Sequence, residues 1–563
     1  MDFVKKIKFN HLAKFPWRYI LVVLSIVLPW FFRSDYLFFT DLVWGPHIYL
    51  YWSNSWFLIN LLIKVLYFIF PLAFLEKLFI SGILILILAA GRRLVQVVLA
   101  GMPDAASSHG LIFILPLFAL FNPFVYDHAL YGQFGILAAY GCLLFVAAYL
   151  LEAGRTLDFK RLWRAALFSA IALLFSLHFI FLLAPFYLLF SIALVWRHRE
   201  IKTVGQTKKL LSALLLSILI IFLLNTNWLV ALAIGASPIG NFVAQGITSR
   251  DLEAFSTSGR TTGETYANVI LMSGFWGKDQ YRYADLTAVS GWQKGFIFLL
   301  PLIIYGVYLS FHGRTRGEKI FSASLLVLYV FAITLAVGIK SPVTGPLTQF
   351  LYDHLPFYKG LREPQKWVAV IIPIYLFYLT LASARLYSSK FISDKRWLAG
   401  TLLGLVIIMQ APLLLWGFAG QAKPTPYPDD WIATDRLLVD RSADSYGCSD
   451  RILFLPWHLY LSFYWSGKIM ANPAPHFFSC PVLSGTNMEW GGIYDNSLNP
   501  DGAAVSAWLA ERGVNGPPAV AGTPLRYIIL AKEVDFTSYL WLNDLPYLTP
   551  ISESLRLIVY EIK

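Results

Sequence analysis

The sequence predicts a mainly α-helical, polytopic membrane protein of about eleven spanning helices, followed by a small α/β domain. Three observations predict it. Hydrophobic residues make up 57% of the 563-residue chain and charged residues only 14%, with a mean hydropathy of +0.61; a soluble domain carries about 25% charged residues because its surface faces water. The apolar runs are long enough to cross a bilayer, which takes about 20 residues per helix. Lys and Arg recur in alternate connections between those runs, as the positive-inside bias requires.

In chain order the spans read as 17–33, 77–91, 110–124, 133–151, 164–178, 180–196, 209–233, 294–311, 319–338, 367–387 and 397–418. The first follows a basic segment and lacks a small-residue cleavage site, so it reads as an uncleaved span in the cell membrane with the N-terminus cytoplasmic. With that orientation the cytoplasmic connections hold Arg92 and Arg93, Arg155 with Arg161, Arg197 with Arg199, Arg314 with Arg316, and Lys395 with Arg396. This distribution explains the net charge of +12 without a nucleic-acid partner. Residues 56–74 are apolar enough for a further span, but counting them would put the later basic loops outside. Asn60 and Lys64 share one helical face beside Tyr67, which suits an amphipathic helix lying in the interface. The 164–178 and 180–196 runs are short for two full crossings.

This gives a transmembrane domain over 1–420 with outer loops 34–76, 234–293 and 339–366, and an extracytoplasmic soluble domain over 421–563. Beyond Gly420 the apolar runs shorten: RILFLPW, PVLSG, LRYIILAKE and LRLIVYEIK read as strands, and 501–513 as a helix closed by Gly513. Cys448 and Cys480 both fall in this domain, where an oxidising compartment permits a disulfide between them. Cys142, inside an apolar run, reads as a packed thiol.

No phosphate-cradling GxxxxGKS or GxxxxGKT, GxSxG, HExxH or paired CxxC motif is present. Chemistry must therefore come from polar residues scattered in the outer loops. RSDYLFFTDLVWGPHIYLYW sets Asp35 and Asp41 close to the membrane surface, where a carboxylate deprotonates a hydroxyl or holds a divalent cation against a lipid phosphate; loop solvation or helix capping is the plainer reading. NPFVYDHALYGQFG puts Asp127, His128 and Gln133 in a short outer turn able to orient a sugar or a phosphate, or simply to join two helices. In REPQKW, Arg362 and Lys366 flank Glu363 and Pro364 at a helix entry, a geometry that suits an anion clamp or a pair of interfacial anchors. The long loop 234–293 adds Arg250, Asp251, Trp276, Lys278, Tyr281 and Tyr283, whose rings stack on sugars or anchor in the interface. His178 reads as structural. In the soluble domain Trp457, His458, Glu489, Trp490 and Asp495 suit either carbohydrate contact or packing.

The order of these parts resembles the GT-C glycosyltransferases: a basic N-terminus, one span, a long outer loop with an early acidic residue, many further spans and an outer soluble domain. More narrowly, NPFVYDHALYGQFG, the loop containing GFWG, and FYKGLREPQKW look like the membrane region of arabinofuranosyltransferase D-like proteins and their prokaryotic relatives, over about residues 15–420. The resemblance implies transfer of a sugar, with inversion, from a polyprenyl-phosphate donor in the membrane lipid to an envelope glycan, glycolipid or glycoprotein. Asp41 or Asp35 would then be the general base, and Arg362 and Lys366 would stabilise the departing phosphate. Asp127, His128, Gln133, Glu363, Trp276 and Tyr281 would contact substrate. Many relatives set their acidic residues side by side, whereas Asp35 and Asp41 are six apart. Two other classes remain open: a transporter or flippase for lipid-linked sugars, and a non-catalytic glycan-binding scaffold. Transporters place polar sites near the bilayer midplane, while here polar residues gather in the outer loops.

Overall fold

The computed structural model describes residues 17–102, 110–197, 204–237, 247–280, 282–390, 392–442, 448–487 and 500–563, together with positions 240, 243, 489, 490, 493 and 494. The basic N-terminal segment, Tyr281 and Asp495 lie outside the described residues. Among the described residues seven helices are long and apolar enough to cross a bilayer, or nine if each of two bent pairs is one span. The other two predicted spans are shorter, Arg18–Phe32 and the 16-residue Lys160–Phe175. The stretch read as interfacial forms the 11-residue helix Phe57–Tyr67, too short to cross, with Leu61, Leu62 and Val65 exposed.

Packing is organised around the helix Val368–Tyr387, which is buried along nearly its whole length. Leu72–Leu99, Gln293–Phe311 and Arg316–Val337 all pack on it. Between helices in lipid there is little hydrophobic drive, so close backbone approach and dispersion hold them. Gly306 shows this: a Cβ there would lie 2.0 Å from the Tyr378 carbonyl oxygen. Gly205–Ala233 sits at the rim and turns Leu215, Ile218, Leu219 and Leu223 outward.

The 110–124 run is not a straight span. Leu111–Leu120 and Pro123–Leu130 meet at a 47° bend, so the segment read as a short outer turn is largely helical. Asn122 makes the break affordable in a buried site. Its Oδ1 accepts from Val125 N at 3.0 Å, and its Nδ2 donates to Phe118 O and Ala119 O at 3.0 and 2.9 Å. One side chain thus satisfies the ends of both helices, and Pro123 opens the second with no amide to satisfy.

Basic helix ends gather at one end of the bundle. Arg93 and Arg161 both pair with Glu152, Arg155 Nη1 donates to Val97 O at 2.8 Å, and Arg316 lies over the Trp196 ring. At the other end stand the long loops and the α/β domain. That domain has a five-stranded mixed sheet in the order Leu548–Glu553, Leu557–Ile562, Leu525–Ala531, Arg451–Leu455, Val482–Leu483. Its middle strands are buried on both faces, one against a core around Trp431 and the other against a core around Trp508. Cys448 and Cys480 form a disulfide.

The segment Tyr36–Val43 is held between the two layers. Tyr36–Leu37 pairs antiparallel with Pro424–Thr425, Leu37 N donates to Glu76 Oε2 at 2.9 Å, and Asp41 N donates to Tyr131 O at 2.8 Å. From the α/β domain Lys468 Nζ donates to Phe38 O at 3.0 Å, and Ala471 N to Thr40 O at 2.8 Å. Phe38 and Val43 enter that domain's own core. Gly132 allows the approach from the membrane side: its φ is +80°, and a Cβ would sit 2.6 Å from Phe39 Cβ and 2.8 Å from Leu42 N.

Gly132→Ala is therefore expected to cost about 1–2 kcal/mol in backbone strain and more through the clash, and to lower the melting temperature in detergent. Gly263→Ala, where nothing lies within 4 Å, should not lower it; equal melting of both variants would remove Gly132 from this role. Replacing Cys448 and Cys480 by Ala, 32 residues apart, should cost about 3–4 kcal/mol by loop entropy, read as earlier proteolysis of the α/β domain.

Candidate active site

A cleft of about 880 Å³ opens between the membrane bundle and the α/β domain. Its floor is the end of the clamped segment. Asp41, Gln133, His178, Glu363 and Lys366 line it, with Asn472 and His476 contributed by the α/β domain. Its apolar lining includes Trp44, just past the clamped segment, Ile63 of the interfacial helix, and Leu173, Ile180, Trp228 and Leu232 of neighbouring helices. A mainly apolar cavity with a few convergent polar groups is the usual form of a ligand site.

Asp41 takes both of its side-chain bonds from neutral donors. Gln133 Nε2 donates to Oδ2 at 3.0 Å, and Tyr460 OH donates to Oδ1 at 2.8 Å. Asp41 is solvent-exposed, and it lines the cleft. Burial pushes its pKa above the ordinary carboxylate value, and the Glu363 charge adds to the rise. The bonds from Gln133 and Tyr460 and the field of Arg282 pull against it, and the net result is upward. A carboxyl so placed is a stronger base than a solvated one once it has ionised. Tyr460 in turn lies under the Arg282 guanidinium, 6.0 Å from its ring centre.

Glu363 has the opposite character. Burial alone would raise its pKa, but Lys366 Nζ donates to Oε1 at 2.9 Å and Trp276 Nε1 to Oε2 at 3.0 Å. These partners hold the carboxyl down to about 2. The spacing of REPQKW produces the pair: residues 363 and 366 are one helical turn apart. Glu363 and Lys366 therefore enter the cleft as a fixed ion pair, the first an acceptor held charged and the second a cation at the wall.

The other candidates lie elsewhere. Arg362 does not line the cleft; its Nη1 bonds Asp251 Oδ1 at 2.6 Å, and its guanidinium stacks over Phe255 at 4.5 Å. The expected clamp of Arg362 with Lys366 is thus divided, because buried Asp251 draws Arg362 away. Asp35 is also outside the cleft, in the field of Lys77. Asp35 and Asp41 thus do not line the cleft together, and among the described residues no group of three or more His, Cys, Asp or Glu side chains is placed to hold a metal ion. His128 is 1% exposed, donates from Nδ1 to Phe124 O at 2.8 Å, and packs between Phe124 and Phe275. Asp127 faces Lys278 and Asp285 rather than the cleft. Trp276 does not line the cleft and reaches it through its bond to Glu363. His458 bonds Asp535 at 3.2 Å, Trp457 belongs to the second core of the α/β domain, and Glu489–Trp490 forms half of a small hairpin.

Three participants escaped the sequence reading. Tyr460 is 419 residues from Asp41, and nothing local marks it. Arg282 sits beside Tyr281 and Tyr283, which drew attention as aromatics. His178 looked like an isolated histidine in an apolar run, yet it lines the cleft and bonds Ser176 Oγ through Nδ1 at 3.1 Å. The chain break at Ser176, where the backbone turns extended, brings it there.

No family model matches the sequence, and no curated protein matches it. Among solved structures, the apo crystal structure of ArnT from Cupriavidus metallidurans aligns over 97% of this chain and 98% of its own, with 12% identity and a TM-score of 0.34. The cryo-EM structure of arabinofuranosyltransferase AftD from Mycobacteria aligns over 98% of this chain with a TM-score of 0.53 and 14% identity. This chain spans 40% of the length of that protein. The likeness is one of architecture: this chain shares its fold with the aligned part of that arabinofuranosyltransferase.

Proposed function

We propose that the chain is an integral-membrane glycosyltransferase that moves a sugar from a polyprenyl-phosphate donor to a glycan, glycolipid or glycoprotein acceptor of the cell envelope. One observation carries the reading: a single cleft joins a base-like carboxylate, Asp41, a cation, Lys366, and an apolar wall. In this reading the polyprenyl chain lies along Trp44, Ile63, Leu173 and Trp228, and the donor phosphate meets Lys366, with Arg282 nearby in place of Arg362. The acceptor enters from the side of Asn472 and His476. Asp41 removes the acceptor hydroxyl proton as the acceptor oxygen bonds the anomeric carbon. The bond from that carbon to the phosphate oxygen breaks, and the lipid phosphate leaves with the electron pair. Attack opposite the leaving group inverts the anomeric centre. The basic helix ends face the cytoplasm and the cleft faces outward, as the positive-inside bias favours.

The test is transfer by purified protein in lipid, with a panel of polyprenyl-phosphate sugars and an envelope acceptor. Asp41→Asn, which is nearly isosteric, should lower transfer by about 10²–10⁴-fold with unchanged melting, and Asp35→Asn should leave transfer near normal. Full activity in Asp41→Asn would remove the base. Donor binding without transfer in every protein would instead favour a flippase or scaffold. The base must be ionised, so kcat/KM should fall toward low pH with an acid limb above the ordinary carboxylate value of about 4. Tyr460→Phe removes a bond that favours the ionised form and should move that limb to higher pH; an unmoved or lowered limb would contradict the assignment.

A further inference from the structure

A second cavity, about 370 Å³, lies at the opposite end of the bundle from the Asp41 cleft. It opens where Leu72–Leu99, Phe134–Thr156 and Phe179–Trp196 end and where the chain passes from Gln293–Phe311 into Arg316–Val337. Its volume falls within the range of small-molecule sites, about 300–1,000 Å³. Nothing in the transfer reading uses it.

The two ends of this cavity differ in chemistry. At its mouth stand Arg155, Arg197, Arg314 and Glu318. Arg197 Nη1 donates to Gly154 O at 2.8 Å and to Arg155 O at 2.6 Å, which ties two helix ends together. Arg314 pairs with Glu318 at 3.3 Å. Two other acids among the described residues near this end, Glu152 and Asp158, pair with Arg93 and Arg161 and do not line the cavity. Three guanidinium groups thus line the mouth beside one carboxylate: Arg314 pairs with it, while Arg155 and Arg197 each bond helix-end carbonyls. Guanidinium groups present paired donors that match the oxygens of a phosphate. Ionisable side chains at membrane helix ends facing a cavity are a sign of function.

Beyond the mouth the walls are apolar: Leu150, Phe186, Phe190, Ile374 and Phe377. They follow the central helix from Leu381 to Pro373, about 12 Å along its axis at 1.5 Å per residue. A cationic mouth over a long apolar channel suits an amphiphile with an anionic head and a hydrocarbon tail. A free phosphate would satisfy the mouth and leave the channel without an apolar partner. Basic pockets between transmembrane helices on the cytoplasmic side bind anionic lipid headgroups on the same principle.

We propose that this cavity binds one anionic phospholipid of the leaflet opposite the Asp41 cleft. Its phosphate rests on Arg155, Arg197 and Arg314, and one acyl chain lies against Phe186, Phe190 and Phe377. The lipid bridges Phe179–Trp196 and Arg316–Val337, two helices that also meet where Arg316 covers Trp196.

The experiment is native mass spectrometry of the full chain released from phosphatidylcholine nanodiscs doped with phosphatidylglycerol. The wild type should retain one phosphatidylglycerol in preference to phosphatidylcholine. The double variant Arg155→Gln/Arg314→Gln should retain it about tenfold less or weaker still. Ser324→Phe, which narrows the channel wall and leaves the charges intact, should also reduce retention, and it guards against a double variant that fails to fold. Equal retention by a folded double variant and the wild type would overturn the proposal, as would equal retention of the two lipids by the wild type. Inorganic phosphate should not displace the lipid; displacement by phosphate alone would assign the mouth to a soluble anion and overturn the lipid site.

Discussion

The clamp on Tyr36–Val43 is the constraint on which the rest of the site depends. This stretch leaves the first helix as a loop, and a loop alone would hold a carboxylate loosely. Here its backbone groups are bonded from three directions: Glu76 and Tyr131 from the membrane bundle, Pro424–Thr425 from the linking strand, and Lys468 and Ala471 from the α/β domain. Burial holds Lys468 at about 8, low for a lysine, although Glu76 favours its charge. Satisfying a backbone oxygen at the join of two layers is therefore kept at an electrostatic cost. Without the α/β domain the Asp41 carboxylate would lose Tyr460 and half of its hydrogen bonding.

Much of the architecture was legible in the sequence because bilayer length and helical periodicity act locally. Apolar runs locate the helices, basic connections order them, and alternating short runs give the sheet strands from Arg451 to Ile562. Asn122 followed by Pro123 was a legible signal for a helix start inside a predicted span, since an Asn cap and a Pro at the first position form a known pair; the apolar run around it masked the signal. Asp41 was a candidate from its place near the first span. What made it differ from Asp35 was not local. Gln133 and Tyr460 choose Asp41, and the second of these comes from the far end of the chain. Likewise Arg362 and Lys366 look equivalent in REPQKW. Their separation depends on where Asp251 folds, and Asp251 is fixed by its own helix, bonding Thr248 N at 2.9 Å.

The electrostatics of the molecule are divided along its length. At the cleft end, charge is held in neutral combinations: Glu363 with Lys366, Asp251 with Arg362, Lys278 with Asp285. Asp41 departs from this pattern, bonded by an amide and a phenol. At the other end arginines outnumber acids and bond helix-terminal carbonyls. Carbonyls at helix C-termini carry partial negative charge, so the same arginines close the helices and give that face its sign. The central helix Val368–Tyr387 separates the two fields with side chains that carry almost no charge.

The hydrogen bond between Tyr460 and Asp41 also has a consequence for biosynthesis. Domains of a growing chain generally fold in order, the earlier ones first. The bundle can therefore insert and pack helix by helix while Asp41 still lacks its phenol partner and Thr40 its amide from Ala471. The cleft becomes complete only after the later segment has formed its sheet and returned to the loop that follows the first helix. A chain stalled before that segment is made would hold every membrane helix and an unfinished cleft, so assembly order itself fixes when the site closes.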